Sequence, residues 1–174
     1  MSRISLVAAA GLAVATGANA DVMFSFAGPS VLAGGAGVNV FSGNASGSLG
    51  TFTFSFDYGE VVADASWASD MQIVVTDPNA NQAIIGGFDN PGIAPAYDGG
   101  ASTAPGNYGD AIDLSGLGLS GSGLWTVDVI NEWAADPNPN TLGNFQGNLG
   151  GLVPTPGALG LFGIAGLAAT RRRR

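Results

Sequence analysis

Two short pieces of this 174-residue chain carry oxygen side chains at alternate positions: Asp77-Pro78-Asn79-Ala80-Asn81 and Asp136-Pro137-Asn138-Pro139-Asn140. A tight loop can turn such oxygens inward around a hard cation, so Asp77, Asn79 and Asn81 are candidate calcium ligands. Neither piece completes an EF-hand loop. The sixth position, which should be Gly, is Gln82 or Thr141, and the twelfth, which should be Glu, is Phe88 or Gly147. Asp-Pro-Asn is also ordinary turn chemistry, and the turn is the favoured reading. A second acidic set lies in the long Gly-rich stretch 86–113, where Asp89, Asp98, Asp110 and Asp113 accompany Tyr97 and Tyr108. A stretch of this length without regular structure is expected to be a calcium-bridged loop, a glycan-contacting surface or a solvated acidic loop.

Other chemistry is limited by what the chain lacks. It has no His and no Cys, and its only cationic side chains are Arg3 and Arg171, Arg172, Arg173 and Arg174. Ser/His/Asp and Cys/His catalysis, Schiff-base chemistry and imidazole or thiolate metal sites are therefore excluded. Glu60 and Glu132 are the only glutamates. A carboxylate pair could in principle hydrolyse a glycosidic bond, but no catalytic motif surrounds either residue, and no enzymatic role is expected. Trp67 and Trp133, each beside small or acidic neighbours, are candidate exposed aromatics for stacking on sugar rings, with Tyr97 and Tyr108 as further candidates.

The elements that must position these residues read as β. In 51–58, TFTFSFDY, three Phe and a Tyr share one face while Thr51, Thr53, Ser55 and Asp57 share the other. Burying each Phe is worth roughly 1.5–3 kcal/mol, so that face is expected to be core and not a platform for sugars. Further strands are expected at 22–27, 38–41, 71–76, 83–88 and 124–131, with Trp125 packed inward. Turn-rich pieces such as SGNASGS (42–48) and DPNANQ (77–82) are expected to separate them. The expected fold is all-β, an antiparallel sandwich of jelly-roll type over 21–136. The Gly- and Asn-rich segment 137–152 is expected to be a linker, or an edge strand through Phe145.

The ends are of a different character. Residues 1–20 have the layout of an export signal: Arg3, a small-residue apolar run, then Ala18-Asn19-Ala20 as a small-x-small cleavage site. Removal of both ends would leave no Lys or Arg against thirteen acids, a net side-chain charge of −13. Such a body repels nucleic acid and anionic lipid. Residues 157–170 are uncharged and apolar, shorter than the ~20 residues of a spanning helix, and are followed by four arginines that would anchor on the cytoplasmic side. A short hydrophobic helix is expected there.

Val153-Pro154-Thr155-Pro156, the apolar run and the Arg cluster, in that order at the terminus, resemble the PEP-CTERM sorting signal. That resemblance implies transient inner-membrane anchoring and recognition by an exosortase-like membrane protease, after export machinery and signal peptidase have acted on the other end. Pro154, Thr155, Pro156 and Arg171–Arg174 would be the sorting residues. Thr155 stands where the family's motif has Glu. In the middle, 68–89 followed by 121–133 resembles the P domain (Homo B domain), with Asp70 leading MQIVVTDP and Gly123, Trp125 and Val129 on a later strand. This second resemblance implies a jelly-roll accessory module. Together these readings lead to a secreted, surface-sorted structural or adhesive protein contacting extracellular polysaccharide or divalent cations. A carbohydrate-binding module with a defined sugar site is the main alternative, and an extracellular glycoside hydrolase the third.

Overall fold

A computed structural model describes residues 21–60, 68–87, 105–132 and 139–155. They form eight strands: β1 Val22–Phe26, β2 Ser30–Leu32, β3 Gly37–Glu60, β4 Met71–Thr76, β5 Gln82–Ile85, β6 Gly106–Asp113, β7 Ser120–Asn131 and β8 Asn140–Pro154. The only helical pieces among the described residues are two three-residue 3₁₀ turns, Ala68–Asp70 and Ser115–Leu117. The fold is all-β, and hydrogen bonding joins all eight strands into one open antiparallel sheet. Its order is β1-β8-β3-β7-β4-β5, with β2 also on β8 and β6 also on β3. All the ladders among the described residues belong to this one sheet.

The organiser is β3, 24 residues long. Its first half pairs with β7, from Gly37↔Ile130 to Ser48↔Ser120, and its second half with β6, from Thr51↔Asp113 to Tyr58↔Gly106. The segment 42–48, expected as a turn, is thus continuous strand. Its small residues allow this by tolerating close backbone approach. Gly47 and Gly151 both have positive φ (133° and 92°), and a Cβ on Gly47 would lie 2.6 Å from the carbonyl oxygen of Gly151. Only glycine takes that conformation without penalty. There the register between β3 and β8 jumps from Gly47↔Leu152 to Thr51↔Gly150, a bulge that re-aims the strand as its other partner changes.

The segment expected to be a linker or an edge is neither. β8 lies between β3 on one side and β1 and β2 on the other, and it buries Leu142, Phe145, Leu149 and Leu152. The folded unit therefore extends past 136 to Pro154, and Val153 and Pro154 of the sorting-like motif are strand residues. Likewise 106–113, expected within a long loop, is strand β6.

The Phe stripe is core: Phe52 and Phe56 are fully buried, Phe54 and Tyr58 nearly so, and their rings follow one another at 5.2 and 6.3 Å along the strand. Phe145 of β8 stacks on Phe54 and Phe56 at 6.4 and 6.2 Å. Trp125, Val127 and Val129 of β7 and Ile73 and Val75 of β4 close the same apolar cluster. Burial of these large side chains, each worth roughly 1.5–3 kcal/mol, is what replaces disulfides and ion pairs in holding the sheet.

A polar outer face as the candidate functional site

Because side chains alternate along a strand, burying the Phe stripe sets Thr51, Thr53, Ser55 and Asp57 on the opposite face. The register extends that face across four strands. Thr53 is opposite Ala111 on β6 and Asn148 on β8, and Asn148 is opposite Met23 on β1. In the next row Ser55 is opposite Gly109 and Gln146, and Gln146 is opposite Ser25. A shallow cleft of about 460 Å³ lies here, lined by Met23, Ser25, Thr53, Gln146 and Asn148 with the intervening backbone.

Two carboxylates frame the face. Asp57 accepts hydrogen bonds from the side-chain amides of Asn107 (3.0 Å) and Asn144 (2.6 Å), and these, Asn107 first, hold its carboxyl below the usual carboxylate range. Asn144 reaches it from a bulge in β8, where its φ is 45°. At the other end Asp21 accepts from the Asn148 amide and from the Gly151 N–H, both at 3.2 Å. Between them Thr53, Ser55, Ser25 and Gln146 make no side-chain hydrogen bond among the described residues. A row of groups that can each donate and accept, fixed on strands and with that capacity unspent, suits a ligand made of hydroxyls. Exposed Met23 supplies an apolar contact beside them.

The other candidates fall elsewhere. Asp77 is buried, and its carboxylate takes four hydrogen bonds: from the backbone of Asn79 (2.8 Å), Asn81 (2.9 Å) and Ser120 (3.2 Å), and from the Asn81 amide (2.9 Å). Burial pushes its pKa up, but these bonds, led by the Asn81 side chain, overcome it and hold it below the ordinary value. The arrangement is that of a turn acceptor, with Asn79 and Asn81 presenting N–H groups to the carboxylate and Asn79 also bonding the Ser120 carbonyl at 2.8 Å.

Asp110 and Asp113, three residues apart on β6, project to opposite faces. Asp113 accepts from the Ser115 N–H at 2.9 Å, and bonds from Ser115 lower its pKa. Asp110 accepts from the Ala111 N–H at 2.7 Å. Among the described residues no group of three or more acids could hold a metal ion. Tyr108 is half-buried, 6.4 Å from Phe56 and edge-on to Tyr58 at 6.0 Å, so it serves the core margin. Trp67, Trp133, Tyr97, Asp89, Asp98, Ala18, Ala20, Pro156 and Arg171–Arg174 lie outside the described residues.

Half of this face was visible in the alternation of 51–58. The other half, Asn144, Gln146 and Asn148, also alternates with apolar or small residues, but Gly at 143, 147, 150 and 151 gives the segment the composition of a linker. No family model matches this chain, and no curated protein matches it.

Proposed function

We propose that this chain is a secreted, cell-surface-sorted structural or adhesive protein whose outer sheet face contacts extracellular polysaccharide. The observation that carries the reading is the cluster of Thr53, Ser55, Gln146 and Ser25, outward-facing and without side-chain hydrogen bonds among the described residues. A sugar's hydroxyls donate and accept at once, and hydroxyl and carboxamide side chains answer both roles. The absence of any Lys or Arg between Ile4 and Thr170 argues for a neutral glycan over an anionic one. The finer fold in this reading is a sandwich, the one sheet folding over a core that holds both the Phe stripe and Trp125. The export-like leader and the sorting-like trailer supply the route: signal peptidase at one end, an exosortase-like protease at the other. The role is presentation and adhesion, without catalysis.

The cleft beside Met23 favours a second reading, a carbohydrate-binding module with one defined sugar site. Both readings predict the same processing. Mass spectrometry of the protein recovered from cells should find Asp21 as the first residue and a C-terminus at or beyond Thr155, in the surface or matrix fraction. Shorter C-termini would strip the pairs Ala45↔Pro154 and Ser46↔Val153 from the sheet. An untrimmed chain in the cytosol would overturn the sorting role.

A further inference from the structure

β8 leaves the sheet at Thr155, whose N–H donates to the carbonyl of Asn44 at 3.0 Å. Residue 157, the first of the apolar run, follows after a single residue, so no spacer separates the sheet from the tail. Around this exit the described surface carries apolar side chains and few charges. Leu124 is opposite Asn44, and Val153 is opposite Ser46. Both apolar side chains are exposed, at 53% and 39%, on the outer face. The three strands that meet here come from the runs 22–56, 114–127 and 137–170, none of which contains a charged residue.

Among the described residues, three acids border the patch. Asp128 is four residues along β7 from Leu124, roughly 13 Å at strand rise and beyond the Debye length of about 8–10 Å. Asp77 is buried under four N–H donors. Asp21, exposed and bonded to the Gly151 N–H, lies two residues along β8 from Val153, roughly 7 Å at strand rise, and is the charge that borders the patch on that side.

We propose that this uncharged corner, Leu124, Asn44, Ser46, Val153, Pro154 and Thr155, is a membrane-contacting surface. It rests on the bilayer that holds the chain's own apolar tail, before that tail is removed. The inference depends on the reading that the tail enters a membrane. Given that entry, a one-residue connection holds the corner at the headgroups, where carboxylates would be repelled by anionic lipid and exposed Leu and Val find an apolar boundary. The polar face around Gln146, seven residues from Val153 along β8 and so roughly 20 Å away, would then remain in water.

The chain has no cysteine, so single labels are clean. The full chain would be reconstituted into vesicles of phosphatidylethanolamine and phosphatidylglycerol containing a headgroup quencher. A fluorophore would be attached at Leu124→Cys, Val153→Cys, Gln146→Cys or Ala165→Cys, and folding of each variant checked by near-UV circular dichroism. The expected result is loss of fluorescence at 124, 153 and 165 with none at 146. Quenching at 165 while 124 and 153 behave like 146 would overturn the proposal and leave tail insertion standing. No quenching at 165 would overturn both.

Discussion

The end of the Phe24 ring on β1 fills the space where a side chain at Gly147 of β8 would begin. The two residues are register partners, and the ring also stacks on Phe41 at 4.5 Å and Phe145 at 6.0 Å. Gly147 is therefore a core position defined by an aromatic on the neighbouring strand. Gly147→Ala should displace the ring and cost about 1–3 kcal/mol, a fall in Tm of about 5 °C or more. In a double-mutant cycle with Phe24→Ala the two losses should be strongly non-additive. Additive losses would mean that the ring does not depend on the missing side chain.

Asp77 ties the turn after β4 to the start of β7 through its four donors. Asp77→Ala would leave those N–H groups without their acceptor and should destabilise the protein by roughly 2–4 kcal/mol. Asp77→Asn, which keeps one acceptor oxygen, should cost roughly half as much. Urea denaturation measures both. A loss under ~1 kcal/mol for the Ala variant would show that the turn stands without the carboxylate.

The depressed pKa values of Asp57, Asp77 and Asp113 set the acid side of the stability profile. Each group binds its proton less readily folded than unfolded, so its contribution is present above the ordinary value of 3.8. That contribution is lost as pH falls through the lower folded values. In an NMR titration of the carboxyl carbons these three should protonate below their unfolded counterparts. Asn144→Ala and Asn107→Ala should each move the Asp57 midpoint upward, with the larger move from Asn107. An unmoved midpoint would dissociate the shift from the amide bonds.

Much of the architecture was legible because it rests on alternation. The stripe 51–58 gave both the core face and half of the polar face, 71–76 matched β4 at both ends, and Trp125 packed inward as its spacing with Val127 and Val129 implied. The failures share one physical cause. Where Gly, Asn and Ser dilute the apolar period, as in 42–48 and 140–154, composition points to turns or a linker, while the backbone is in fact held by ladders to sequence-distant strands. Strand β6 was hidden for a related reason: it is an edge strand with few buried side chains, so its polar character looked like a loop. Asp77, Asp110 and Asp113 accept from local N–H donors, a use that no sequence spacing distinguishes from cation binding.

With no Lys or Arg anywhere among the described residues, net repulsion is a standing cost that ions relieve. Sodium chloride should raise Tm steadily through the physiological range. Calcium should do so at lower concentration, because a divalent ion screens more strongly. A flat or falling Tm with salt would show that repulsion among the acids does not limit stability.

Affinity electrophoresis of the purified chain through gels containing neutral extracellular polysaccharide tests the central claim most directly. The protein should be retarded. Thr53→Ala combined with Gln146→Ala should weaken binding about ten-fold or more, at roughly 1 kcal/mol per lost hydrogen bond, with Tm unchanged. Equal mobility in gels with and without polysaccharide, or retardation untouched by the paired substitution, would contradict the assignment of this face.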